Sequence, residues 1–401
     1  MKALVISPQP FFSPRGTPFS VYYRTLVTAE LGVTVDLLTY GEGQDVDIPG
    51  VRIIRIPRFA LLGNVKTGPS LLKLFLDTVL SVWTIGLLLR HRYDFVHAHE
   101  EAVFFCRFLK PIFRFRLVYD MHSSLPQQLT NFQFTNSKLL IGLFERLEKC
   151  CLQEADAIIT ICPDLWECVN ASVPQDGRHF LIENSIFDPI NVLPRPSDSG
   201  SNSHRDESWK SATTLPPGKR LIVYAGTLEP YQGIDLLIAA FGKVVVENPG
   251  AFLVIVGGTK EQVEKYSALA GEYGLRSHCR FTGRVDPSIA RHYCRLASVL
   301  ISPRTKGTNT PLKIYEQLAS GIPLVATNIH SHTQVLNDKV AFLVETDPED
   351  MAHGILTALN SGGDAQRIAR NAKHLYQQKY SGPVYREKMQ QVLNLLSSCV
   401  E

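Results

Sequence analysis

The 401 residues are 45% apolar and 20% charged with a net charge of +3, the make-up of a globular enzyme with two or three cores. That charge gives no ground for a nucleic-acid partner. The eight cysteines include no CxxC pair, which excludes a disulfide framework, and no His, Cys and carboxylate group has zinc spacing. They read as reduced thiols. No cleavable signal precedes the strand at residue 2, so a cytoplasmic location is expected.

Residues 2–7 (KALVIS) predict a first strand. A long turn with a single glycine, Gly16, follows, and a helical pattern runs over 18–31. Strand, turn and helix open a doubly wound domain. Residues 33–39 and 51–56 predict two further strands. The run 70–89 (SLLKLFLDTVLSVWTIGLLL) is nearly long enough to span a membrane, but Lys73 and Asp77 interrupt it. It is either a buried helix or an interfacial one. Residues 107–116 (RFLKPIFRFR) interleave cations with phenylalanine, as on a nucleic-acid surface, a membrane surface, or a solvated helix with an edge strand. No nucleic-acid motif accompanies them. Residues 1–116 hold 14 Lys/Arg against 9 Asp/Glu.

Residues 95–99 (FVHAH) and 117–122 (LVYDMH) predict strands with polar C-terminal ends, where ligands collect in parallel sheets. His122 is a site candidate there, and His97 and His99 either face a ligand or cap their strand. Residues 157–161 and 180–186 continue the pattern. Between 194 and 217 the chain turns rich in Ser, Pro and charge, as a flexible linker does.

A second αβ series starts at residue 220, with strands at 221–226, 252–258, 278–284 and 299–302. Residues 302–328 (SPRTKGTNTPLKIYEQLASGIPLVATN) then predict a polar loop, a helix starting at Thr310-Pro311 and ending at Gly321, and a strand at 322–326. A helix N-terminus suits a phosphate. Lys313 lies in the first turn, against the dipole preference, as a cation that neutralises an anion would. A strand at 340–344, a helix at 348–360 and a helical tail over 365–398 broken at Pro383 complete the pattern.

The stretch 302–328 resembles the donor site of family-four GT-B glycosyltransferases, whose motif is Glu, seven residues, Glu, then an Ala–Gly–Pro–Val–Val–Ala-like run. Glu316 matches the second Glu, and Ala319, Gly321, Pro323, Val325 and Ala326 match the run. Thr308 stands where the first Glu belongs. Thr227 and Gln232 stand where the family keeps an Arg and a Lys on the diphosphate, a departure that Arg304, Lys306 and Lys313 are expected to offset.

The resemblance implies a GT-B α/β architecture, two doubly wound Rossmann-like domains facing across a cleft. It divides the chain into an acceptor-side domain 1–188, a linker 189–219, a nucleotide-sugar domain 220–375, and a helix 376–401 returning to the first domain. It implies transfer of a hexose from a nucleotide-diphosphate donor, UDP before GDP, to a glycan or lipid-linked acceptor, with retention and with no metal or other cofactor. Glu316 would hold the ribose, and His122 would stand by the donor sugar. Lys313, Arg304, Lys306, Asn309 and Thr310 would hold the diphosphate, with Gly226 and Thr227 beside it. Gly283 and Arg284 would flank the base, and Gly16 and Thr17 would face phosphate and acceptor. The alternatives are a silent nucleotide-sugar-binding relative in polysaccharide assembly and a GT-B epimerase or hydrolase. The basic first third and the run 70–89 imply peripheral attachment to the inner, anionic membrane face.

Overall fold

Strands buried on both faces read as unbroken apolar runs, because helices cover both sides of a parallel sheet. The computed structural model describes residues 1–13, 16–59, 70–124, 138–173, 176–184 and 216–398. They form two units, one over residues 1–198 with 382–401 and one over 199–381. The expected boundaries at 188 and 189 lie outside the described residues.

The first unit runs β1 (Lys2–Ser7), α1 (Gly16–Glu30), β2 (Thr34–Thr39), β3 (Val51–Arg55), α2 (Leu71–Arg90), β4 (Phe95–His99), α3 (Ala102–Phe113), β5 (Arg116–Met121), α4 (Lys138–Glu154), β6 (Ala157–Thr160), α5 (Pro163–Asn170) and β7 (His179–Leu181). Its sheet has the order β3-β2-β1-β4-β5-β6-β7, every pair parallel. The strand period of two divides the core. Leu4 and Ile6 face α2 and α3, whereas Ala3 and Val5 face α1 and a helix from the far end of the chain.

The second unit runs β8 (Arg220–Ala225), a 3₁₀ turn (Pro230–Gln232), α6 (Ile234–Glu247), β9 (Ala251–Val256), α7 (Lys260–Glu272), β10 (Cys279–Phe281), α8 (Pro287–Leu296) and β11 (Val299–Ser302). It continues with α9 (Leu312–Ser320), β12 (Leu324–Thr327), the short α10 (His330–Thr333), β13 (Phe342–Val344), α11 (Pro348–Asn360) and α12 (Gly363–Lys379). The sheet order is β10-β9-β8-β11-β12-β13. Local signals place the ends. Thr259 and Gln262 cap α7 reciprocally, and Gly321, at φ +71°, closes α9. α13 (Gly382–Ser398) then inserts Tyr385, Met389, Val392 and Leu396 into the first unit's core. This helix begins at Gly382, not at residue 376, because α12 continues to Lys379.

Other expectations shift. β5, which residues 107–116 lead into, is an internal strand between β4 and β6, so of the three readings of that stretch an edge strand does not hold; Leu117–Met121 are buried, Asp120 among them. α1 starts at Gly16, because Pro18 fits the first helical turn, where no amide partner is needed. α9 starts at Leu312 with Pro311 as its N-cap. Pro311 keeps an extended ψ of 135° there, so Thr310 lies outside the helix.

Candidate active site

In an open parallel sheet, neighbouring loops part where the strand order reverses, beyond the strand C-termini. The second unit reverses between β8 and β11. Gly226 and Thr227 follow β8, and Arg304 follows β11. Two adjoining glycine turns close against them. The Gly257 amide donates to the Gly283 carbonyl at 3.0 Å. A Cβ on Gly257, at φ +117°, would lie 2.0 Å from the Gly226 carbonyl oxygen. Gly257→Ala is therefore expected to lose about 1–3 kcal/mol or more, read as a fall in Tm.

Lys313 leaves the first turn of α9 and meets this corner. Its Nζ donates to Gln232 Oε1 at 3.2 Å and stands 4.2 Å from the Tyr224 ring centre. A Cβ on Gly226 would be 3.7 Å from the same ammonium. Burial, then the nearby Arg304 guanidinium, pushes the Lys313 ammonium down to about 7. Arg304 stacks 5.3 Å from the Tyr231 ring centre and is itself lowered, chiefly by burial. Its Nε donates to the Lys306 carbonyl at 2.6 Å and its Nη1 to the Asn309 carbonyl at 3.2 Å. Arg304 thus braces the loop as well as charging it.

Neither Lys313 nor Arg304 is paired with a carboxylate among the described residues. Two adjacent cations on tyrosine faces, beside a helix N-terminus with unspent amides, make a place for an anion. The expected three-cation cluster is therefore a pair. Lys306 is exposed and lends Arg304 only its carbonyl. Asn309 likewise contributes a carbonyl, and the Thr310 hydroxyl is buried with no partner among the described residues. Thr227 is exposed, and its carbonyl accepts from Tyr224 Oη at 2.5 Å. Thr308 and Arg284 are exposed too.

Glu316, one turn beyond Lys313 on α9, keeps part of its side chain at the surface while its carboxyl lies among the surrounding chain. Burial by the surrounding chain raises its carboxyl, against the pull of Arg291. Behind the loop, His332 anchors β11 and β12. It bonds Ser302 Oγ at 3.0 Å and the Thr327 carbonyl at 2.9 Å, and Thr327 Oγ1 donates to the Arg304 carbonyl at 2.5 Å.

The first unit holds its own polar centre at the ends of β4 and β5. Asp120, fully buried, accepts from Arg24 Nε at 2.8 Å and bonds His97 Nε2 at 2.9 Å. Burial alone would raise its carboxyl; Arg24 and the histidines hold it well below the ordinary value. His99 Nδ1 and His122 Nε2 are 3.0 Å apart, with His122 Nε2 3.3 Å from Asp120 Oδ1. Burial pushes His122 down to about 4 and His99 lower than its usual range, so both imidazoles are neutral at pH 7. One proton serves the shared contact. Placed on His122 Nε2, that proton also faces Asp120 Oδ1 at 3.3 Å, nearer than His99 Nδ1 lies to Oδ2 at 3.6 Å; in that tautomer His122 Nδ1 is the acceptor nitrogen.

His97, His99 and Asp120 place three ligand atoms within 4.8 Å of one another. Arg24 already neutralises the carboxylate, so this is a hydrogen-bond network and not an open ligand set. His97 and His99 neither cap their strand nor stand open to a ligand; both are buried in that network. Gly16 and Thr17 open α1, with Gly16 at φ +35°.

Several of these groups carry little sequence signal. Arg24 looks like an ordinary surface cation until its spacing is read. It lies three or four residues from Val21, Val27 and Thr28, all buried. Glu100 follows the second histidine of FVHAH and takes φ +50°, unusual for a side-chain-bearing residue. It accepts from Ser123 Oγ at 3.0 Å, and burial, then Glu101, raises its carboxyl to about 8. Tyr224 and Tyr231 read only as strand and turn residues.

Two parallel Rossmann-like sheets of seven and six strands, the second with a cation pair at its switch point, define an α/β protein of the GT-B fold. Residues 24–184 match the glycosyl transferase 4-like domain and residues 205–375 the glycosyl transferases group 1 model. The chain is a group 1, glycosyltransferase 4-like protein. It is 32% identical over 167 residues to the phosphatidyl-myo-inositol mannosyltransferase of Mycobacterium tuberculosis, covering 39% of this chain and 43% of that one. In fold it is similar to sucrose-phosphate synthase from Thermosynechococcus elongatus, with TM-score 0.71, 19% identity and 99% of both chains covered. It is also similar to Anabaena HepE in complex with UDP-glucose, with TM-score 0.67, 16% identity, and 99% and 100% covered.

Proposed function

We propose that the chain transfers a hexose from a nucleotide-diphosphate sugar, UDP before GDP, to a glycan or lipid-linked acceptor with retention of configuration. The observation that carries this is the Lys313–Arg304 pair, two cations on the first turn of α9 and the loop before it, with no carboxylate partner among the described residues. Charge develops on the diphosphate as the bond to the sugar breaks, and cations already in place stabilise it without reorganisation. Glu316, a turn further along, takes the ribose hydroxyls, and the Gly257–Gly283 turn lies beside the base.

Among the described residues of the second unit's corner, no side chain stands as a nucleophile for a covalent intermediate. The reading is front-face displacement. The bond from the sugar C1 to the diphosphate oxygen breaks, and the acceptor oxygen bonds to C1 on the same face. The acceptor's proton passes to the departing diphosphate oxygen. His122 stands by the donor sugar as a neutral imidazole, hydrogen-bonds a hydroxyl and moves no proton. Thr308 and Thr227, uncharged where relatives carry charge, favour the second reading, a silent nucleotide-sugar binder.

Calorimetric titration with UDP and GDP tests the donor site. UDP is expected to bind, and Glu316→Ala to weaken it by about 10- to 100-fold, the worth of hydrogen bonds to a charged group. Failure of both nucleotides at millimolar concentration would remove the donor-site reading. Nucleotide binding with no sugar released to any acceptor would leave the silent binder.

A further inference from the structure

Helix α2 is apolar on two opposite faces. Leu76, Leu80, Leu87 and Leu88 are buried in the core of the first sheet. Leu71, Leu74, Phe75, Val82, Ile85 and Leu89 are exposed, Leu71 by 80%, Leu74 by 65% and Leu89 by 73%. At 3.6 residues per turn these six fall within an arc of about 100°. One apolar stripe is what packing on a sheet requires. A second, turned to water along five turns of helix, requires a partner.

The helix has the length and composition of a membrane span, but its inner stripe is committed to the sheet, so the outer one can meet a membrane only in plane. The exposed charge at its ends is mostly cationic; Asp94, just beyond Arg92, is exposed too but accepts from the Lys2 amide at 2.7 Å. Arg90 and Arg92 are exposed at the C-terminal end. At the other end Arg58 is exposed beside Phe59, whose ring stands edge-on to Phe75 at 5.2 Å. Nearby carboxylates are engaged elsewhere: Asp77 accepts from Tyr40 Oη at 2.5 Å, and Glu101 pairs with Lys73. Neighbouring α3 exposes Phe108 and Ile112 as well. A second copy seated on this stripe about a two-fold axis would bring arginine against arginine, whether the two helices ran parallel or antiparallel.

We propose that the outer face of α2 docks in plane on an anionic lipid bilayer, with the apolar stripe at the headgroup–acyl boundary and Arg58, Arg90 and Arg92 among the headgroups. This does not depend on the donor-site reading, since no residue of the stripe belongs to it.

The test is flotation of the full chain with phosphatidylcholine vesicles, with and without phosphatidylglycerol, at low and high salt. Binding is expected only with the anionic lipid, weakening as salt rises. The triple variant Leu74→Ser/Val82→Ser/Leu89→Ser and the double variant Arg90→Glu/Arg92→Glu should each lose about tenfold or more in partitioning, with circular dichroism and Tm unchanged. The double variant leaves the apolar stripe intact and covers the case in which the serine variant misfolds. The proposal is overturned if wild type stays off anionic vesicles, or if both variants float as wild type does. It is also overturned if wild type is a dimer in solution that the serine variant dissociates, since a second copy would then own the face.

Discussion

Lys313→Ala is expected to lower kcat/KM for sugar transfer by about 10²–10³-fold, the usual cost of removing one preorganised group that meets developing charge. Lys313 suits that role because its ammonium is already out of bulk water, on the Tyr224 face, held by the neutral Gln232. The same surroundings predict a pH dependence. With the free ammonium at about 7, the charged form that binds a diphosphate is lost as pH rises through that value. UDP affinity should fall about fivefold between pH 7 and pH 8, until the bound-state pKa, raised by the ligand, is reached. Lys313→Arg stays charged throughout and should flatten the profile. Calorimetry at both pH values checks this, and a flat wild-type profile would show that Lys313 does not meet the nucleotide.

Arg24→Ala is expected to cost the first unit about 3–5 kcal/mol, because it leaves Asp120 as a buried carboxylate without its cation. Arg24 and Asp120 are 1% and 0% exposed. Arg24 Nη2 also donates to the Ile182 carbonyl at 3.2 Å, and its guanidinium lies 5.2 Å from the Tyr385 ring centre on α13. A Tm lower by roughly 10 °C should result. Replacing both partners by apolar residues of similar volume should recover part of the loss.

Acid should attack the same centre. The folded His122 sits near 4, below the ordinary imidazole value. Its contribution is therefore present above about pH 6.5 and is lost as pH falls towards 4, by about 3 kcal/mol. Urea midpoints measured from pH 7 down to pH 4 should fall accordingly.

How much of this was legible depends on the range of the signal. Lys2–Ser7, Val299–Ser302 and Pro348–Asn360 could be bounded from residues alone, since apolar runs, Pro at a first turn and an Asp cap act within a few positions. That residues 107–116 lead into an internal strand, β5, was not legible in them, because neighbours in a sheet are set by crossovers, which no local pattern reports. The stretch 302–328 announced three cations, Arg304, Lys306 and Lys313, but which of them approach one another depends on the Tyr224 and Tyr231 faces and on Gln232, brought up by a different βα unit. Arg24 and Asp120 are 96 residues apart. α2 was left open between core and interface; one of its apolar stripes is buried in the core and a second is exposed.

The path of α13 has a consequence for synthesis. Tyr385, Met389, Val392, Leu393 and Leu396 belong to the core that β1 begins, yet residues 199–381 form another body in between. At about 5–20 residues per second, translation of that body takes roughly 10–40 s. Throughout it, the first sheet waits with an apolar seam open. The unit begun first is finished last, and a nascent chain stalled anywhere in the second unit presents that seam to chaperones and proteases.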